Sequence, residues 1–153
     1  MTRPLHLRAG PILLVAVGGS VGTAARYATA LALPPVDGLP LPTIAVNLVG
    51  AFLLGVLLES LARRGPDDGG RRTLRLLLGT GVLGGFTTYS AFSLDTAELL
   101  AAGRVAEAAL AVGITLVLGT SAAVLGILLA DRRRTARPDG RPHDPAPARG
   151  PAE

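Results

Sequence analysis

The residues with the most chemistry to offer lie in Gly84-Gly85-Phe86-Thr87-Thr88-Tyr89-Ser90-Ala91-Phe92, a glycine-rich, hydroxyl-rich interruption of a long apolar segment. A helix that crosses a bilayer stays apolar, because unsatisfied backbone groups in hydrocarbon are costly. Irregular backbone at that depth persists only where protein buries it or where it lines a cavity. Thr87, Thr88 and Ser90 supply hydroxyls here, and a broken helix leaves carbonyls free to bind a small cation such as Na⁺. Tyr89 and Phe92 carry the positive ring edges that an anion meets. The competing structural roles are helix packing by the two rings and back-bonding of Thr87 and Ser90 to their own helix.

Two further polar residues stand inside apolar stretches. Arg26 costs about 2.5–3.5 kcal/mol at a span centre on insertion scales, which invites a function, although from the outer third of its helix it can also snorkel to the interface. Asn47 offers two amide donors without charge, suited to holding a desolvated anion without trapping it. Its alternative role is an interhelical hydrogen bond that glues a bundle, worth about 1 kcal/mol.

These residues need apolar elements to position them, and the chain supplies four blocks near the roughly 20 residues that cross a bilayer. They run from about 12 to 33, 43 to 62, 73 to 102 and 105 to 130, the third containing the interruption. The sequence predicts an all-α membrane protein of four transmembrane helices, the third broken in mid-membrane. Residues 12–131 form one four-helix transmembrane domain between a short segment (1–11) and an Arg/Pro-rich tail (132–153) whose composition predicts disorder. Small residues four apart recur in each span (Gly18/Gly22, Ala51/Gly55, Gly81/Gly85, Gly119/Ala123), the spacing that lets membrane helices approach closely.

Composition narrows the function. A 153-residue chain with 49% hydrophobic residues, no cysteine and two histidines, His6 and His143, both near the ends, has no thiolate metal site and no histidine-centred catalysis in its apolar body. No nucleophile–base pair lies in the spans, so the chain does not read as an enzyme. All fifteen cations are arginine, and the net charge of +4 reflects membrane topology rather than nucleic-acid binding. With four spans, thirteen arginines share the side of both termini and the 63–72 loop. Only Arg104 lies opposite, which predicts cytoplasmic termini and one fixed orientation.

Three ordered motifs resemble one family. Gly18 to Tyr27 is similar to its first-span pattern of paired glycines followed by an arginine and an aromatic. Thr43-Ile44-Ala45-Val46-Asn47-Leu48-Val49-Gly50-Ala51-Phe52 resembles Thr-x-x-x-Asn-x-x-Gly-x-Phe, and Gly84 to Phe92 resembles Gly-Gly-x-Thr-Thr-Phe-Ser-Thr-Phe. On these residues the chain is identified as a member of the CrcB/Fluc fluoride channel family, over roughly residues 10 to 130.

The resemblance implies four-helix subunits paired antiparallel in the plasma membrane. They conduct fluoride passively out of the cell and relieve its toxicity. It implies a structural Na⁺ at the dimer interface, held by backbone carbonyls that map onto Gly84 and Thr87. The fluoride-pore positions map onto Asn47, Tyr89 and Phe92, with Thr88, Ser90 and Thr115 as pore hydroxyls and Arg26 as a vestibule charge. Tyr89 stands where the family usually has Phe, Ala91 replaces a hydroxyl residue, and the fourth span lacks a tyrosine that many members carry. An antiparallel homodimer needs one sequence to insert both ways, so thirteen arginines against one favour an oppositely oriented paralogous partner over a homodimer. The alternatives are a small multidrug-type exporter, which needs an acid that the first span lacks, and a non-transporting membrane scaffold.

Overall fold

The computed structural model describes residues 9–33, 36 and 38–135. The elements are α1 (Ala9–Ala32), α2 (Leu41–Ala62), α3 (Gly69–Leu74), a π-helical stretch (Arg75–Leu83), α4 (Gly84–Phe86), α5 (Tyr89–Ala101) and α6 (Val105–Thr135). Among the described residues there is no strand, only an isolated bridge between Val36 and Leu39. Three helices are long and apolar enough to cross a membrane: Ala9–Ala32, Leu41–Ala62 and Val105–Asp131. Segment 69–101 is instead divided, its helix ending at Phe86 and resuming at Tyr89. The expected tail falls outside the described residues from 136 onward, and α6 itself continues to Thr135.

Local chemistry sets the boundaries. Proline at the start of α2 costs no hydrogen bond, because the first amides of a helix have no intrahelical partner. The turn into α6 uses Gly103 at φ 73°, a left-handed conformation that suits glycine. Its N–H donates to Leu100 O at 3.0 Å while Arg104 N donates to Leu99 O at 2.9 Å, so the last carbonyls of α5 are satisfied.

Packing follows two seams. α1 lies along the π-helical stretch and α4, and α2 lies along α6. On the first seam a Cβ at Gly18 would stand 3.0 Å from the Cα of Gly81, and one at Gly22 would stand 2.8 Å from the Phe86 amide nitrogen. A Cβ at Gly85 would stand 3.0 Å from the Cα of Gly19. Gly18 therefore faces Gly81, Gly22 faces Val82 and Phe86, and Gly85 faces Gly19. On the second seam Gly55 meets the backbone of Ala123, and Gly126 meets that of Phe52 and Val56. Gly119 has no atom within 4 Å of a Cβ position, so Gly126 takes the contact expected of it. A residue seven positions further along α6 keeps the same face after two helical turns.

The subunit's own core is small: Ile44, Val46, Leu61, Leu83, Leu99, Ala108, Ala111 and Ala130 are buried, while large apolar side chains on α1 and α6 point outward. An apolar exterior is what hydrocarbon solvates.

Candidate functional site

The site is built at the interruption. Thr87 (φ −76°, ψ 157°) and Thr88 (φ −149°, ψ 122°) are extended, so the helical hydrogen-bond ladder stops there. Thr87 N still donates to Leu83 O at 2.9 Å, closing the last turn before the break.

Asn47 serves the next residue. Its Oδ1 accepts from Thr88 N at 2.8 Å, and its Nδ2 donates to Thr88 O at 3.0 Å. A side-chain amide from α2 thus pairs with one residue's backbone as a neighbouring strand would. This pairing is what makes two extended residues tolerable between apolar helices. Gly50 lies one turn further along α2, on the same face. A Cβ there would collide with the Thr87 methyl and stand 3.6 Å from the Phe86 ring. The Asn-x-x-Gly spacing therefore has a geometric cause: Asn47 pins the break and Gly50 leaves room for it.

Thr88 is buried, at 7% exposure, and its hydroxyl is heavily used. Oγ1 accepts from Ala91 N at 3.1 Å, capping α5, and lies 3.2 Å from Ser90 Oγ. Whichever hydroxyl of that pair donates to the other, the second keeps a hydrogen to offer elsewhere. Thr87 Oγ1 donates back to Leu83 O at 2.9 Å, the self-bonding role weighed for it, whereas Ser90 turns to Thr88 instead.

Arg26 reaches the same place from α1. It lines a cavity of about 270 Å³ with Thr23, Tyr27, Thr43, Val46, Thr88 and Ala91. Among the described residues no hydrogen-bond or ion-pair partner meets its guanidinium. Three residues, Ala30, Pro42 and Thr43, also line a second cavity of about 500 Å³, whose other walls include Asp95, Glu98 and Arg104. Thr43 Oγ1 donates to Asp95 Oδ2 at 2.6 Å where the two cavities adjoin. The sequence alone assigns Asp95 no role. Thr43 lies four residues before Asn47, hence on the same helical face, and that was the available signal.

The remaining expected residues lie elsewhere. Tyr89 is 81% exposed and Phe92 half-buried, their ring centroids 6.2 Å apart and tilted by 44°. Neither lines the two cavities described. Gly84 is exposed beside the break. Thr115 sits on α6 and donates to Ala111 O at 2.8 Å, within its own helix. The structure thus gathers Asn47, Thr87, Thr88 and Ser90, with Arg26 on the wall of the adjoining cavity. It leaves Tyr89, Phe92 and Gly84 toward the subunit surface and Thr115 apart.

Long apolar helices around a polar, side-chain-pinned break define a small multi-pass helical membrane protein. A family model described as CrcB-like protein, Camphor Resistance (CrcB), matches residues 13–127, and the chain belongs to that family. It is 52% identical over 126 residues, 82% of this chain and 87% of the relative, to Fluoride-specific ion channel FluC 2 of Leifsonia xyli subsp. xyli. It is 48% identical over 118 residues, 74% of this chain and 90% of the relative, to Fluoride-specific ion channel FluC of Novosphingobium aromaticivorans. To Fluoride-specific ion channel FluC 1 of Cutibacterium acnes it is 50% identical over 97 residues, 61% of this chain and 68% of the relative. These relatives are named as channels, not enzymes.

Proposed function

We propose that this chain is a subunit of a fluoride-selective channel that lets fluoride leave the cell passively. The observation that carries the reading is the break held by the neutral amide of Asn47 beside Arg26, which has no partner among the described residues, in a chain whose relatives are named fluoride channels. Fluoride is small and strongly hydrated, so a pore must replace its water with neutral donors at several weak sites. Asn47 has two amide hydrogens and spends one on Thr88 O, leaving the second to an anion. The Thr88–Ser90 pair keeps one hydroxyl hydrogen. Tyr89 and Phe92 add ring edges, Thr115 a further hydroxyl, and Arg26 raises the potential at the approach.

On this reading segment 69–101 is the fourth crossing, broken in mid-membrane, and two subunits pair antiparallel. The outward-facing Tyr89 and Gly84 are then covered by the partner. The arginine asymmetry favours an oppositely oriented paralogous subunit as that partner, with both termini cytoplasmic in the plasma membrane. The donor set at the break fits a structural Na⁺: carbonyls of Gly84 and Thr87 are hard, neutral oxygens, and the extended Thr87 departs from helical geometry. Such an ion would supply fixed positive potential at the interface, while this chain's own donors bind and orient the anion.

A second reading, a non-transporting scaffold, is favoured by one observation: both polar atoms of Asn47 are engaged by Thr88. Fluoride efflux from liposomes holding the purified chain, with chloride as control, tests both. Fluoride-selective efflux supports the channel and a self-sufficient homodimer. Silence that ends when a paralogous subunit is added supports the heteromer. Silence under both conditions sinks the channel reading.

A further inference from the structure

We infer that the arginine-rich end of α2 and α3 is a binding site for the headgroup phosphate of an anionic phospholipid; this rests on the reading of the chain as membrane-spanning. Between residues 63 and 75 five arginines face two aspartates. Arg71 is wholly committed to the loop: Nε donates to Pro66 O at 2.7 Å, Nη1 to Arg64 O at 3.0 Å and Nη2 to Asp68 Oδ1 at 2.7 Å. Arg72 and Arg75 differ. Each has an Nε–H that is buried and meets no acceptor among the described residues.

A buried donor without an acceptor is unusual, and a missing ligand is one standard cause. The two residues lie three apart on one helical face, at the start of the apolar segment that begins at residue 73. Arg75 also holds Asp67 through Nη2 at 2.5 Å, which fixes the guanidinium plane but does not use Nε. Beside it lies a cavity of about 250 Å³ whose walls include Leu58, Leu61 and Ala62 together with the paired Asp67 and Arg71. An apolar wall under a cationic rim, at the end of a membrane bundle, matches a phosphodiester with its acyl chains below. A guanidinium suits it because the planar fork meets two phosphate oxygens at once, and because no change of pH discharges it.

Native mass spectrometry of the purified full chain in detergent tests this with three probes: dioleoyl phosphatidylglycerol, dioleoyl phosphatidylcholine and inorganic phosphate. Phosphatidylglycerol should bind at least about tenfold tighter than phosphatidylcholine, and millimolar phosphate should not displace it. Arg72→Gln with Arg75→Gln should lower that affinity by about tenfold or more. Arg64→Gln, which removes one charge from the same loop but no buried donor, should leave it within about twofold. Arg72→Lys and Arg75→Lys keep the charge without the fork, and partial loss in these covers the case where the double variant does not fold. Equal binding of the two lipids overturns the proposal, as does equal loss in Arg64→Gln, no loss in the lysine variants, or displacement by free phosphate. Fluoride efflux measured on the same preparations separates the two readings. Lipid binding without efflux, with and without an added paralogous subunit, sinks only the channel, and efflux without lipid preference sinks only the site.

Discussion

Asn47→Ala separates a channel from a scaffold when read against a control elsewhere in the bundle. The substitution removes two bonds at once, to Thr88 N at 2.8 Å and Thr88 O at 3.0 Å. A buried polar group left without a partner costs about 1–3 kcal/mol in soluble proteins. Polar pairs between membrane helices average only about 0.6 kcal/mol. Two lost bonds therefore bracket the destabilisation at about 1–6 kcal/mol, and water entering from the adjoining cavity moves it toward the lower half. The control is Gly126→Ala, where a Cβ would stand 3.0 Å from Val56 N on the α2–α6 seam, away from the break. Overpacking of that kind costs about 1–3 kcal/mol. Flux should distinguish the two. Loss of one hydrogen bond to a charged group, about 1.5–3 kcal/mol, corresponds to a fall of roughly ten- to 150-fold. The assay is fluoride efflux per folded, reconstituted subunit, with thermal unfolding in detergent measured alongside. Asn47→Ala should lose at least about tenfold in flux, while Gly126→Ala stays within about twofold at comparable destabilisation. Parallel losses in the two variants would refute a direct role for Asn47 and leave it a packing residue.

Gly22→Val should prevent α1 from seating against Val82 and Phe86, where a first added carbon already falls 2.8 Å from the Phe86 amide. A loss of about 3 kcal/mol or more is expected in detergent unfolding, because backbone cannot step aside as a side chain can. Thr88→Val removes the α5 cap to Ala91 and the bond to Ser90 but keeps both backbone bonds to Asn47. About 1 kcal/mol of stability should go, and flux should fall more steeply than in Ser90→Ala, which leaves the cap in place. Asp67, in the loop before α3, is held below the usual carboxylate range by its hydrogen bond to Arg75. A depressed acid stabilises the fold above its unfolded value, and the contribution disappears as pH falls through the folded one. Thermal midpoints should therefore hold at neutral pH and drop only below about pH 4. Asp67→Asn should flatten that acid limb, and an unchanged limb assigns it to other carboxylates.

The sequence revealed the break but not what holds it. Gly84 to Phe92 stands out because glycine and hydroxyls interrupt apolar periodicity, and periodicity is a local property. That Asn47 pairs with Thr88 depends on how α2 lies against residues 41 positions away in the chain. No pattern within either segment encodes that register. The glycine seams show the same limit. Gly18/Gly22 and Gly81/Gly85 were legible because both faces carry the four-residue spacing. On α6 the spacing pointed to Gly119 and Ala123; Ala123 meets Gly55 as expected, but the close glycine contact falls two turns beyond Gly119, at Gly126. The pairing of Thr43 with Asp95 escaped notice because the two stand 52 positions apart on different helices, and only the packed structure brings the hydroxyl to donate to the acid at 2.6 Å.

The direction in which the break faces bears on the proposed assembly. Asn47 approaches Thr88 from α2, and Gly50 receives Thr87 and Phe86 on the same side, so the inward face of the break is filled by the chain itself. Tyr89, Ser90 and Gly84 are left exposed. Neither an exposed phenol beside a hydroxyl nor an exposed glycine stabilises an isolated subunit in lipid, and each gains from a second surface with its own polar groups. If the partner is another copy of this chain, its inverted orientation must carry thirteen arginines to the side where their insertion is least favoured. If it is a paralogue of opposite charge bias, each subunit inserts in its preferred direction and the two breaks meet without that cost. The proposed pore and the arginine distribution therefore rest on one physical constraint. Moving arginines from the 63–72 loop to the 33–41 loop should let this chain pair with itself, read as fluoride efflux from a single purified species. Continued silence in such a variant, with insertion in both orientations verified by accessibility mapping, would show that the partner supplies more than orientation.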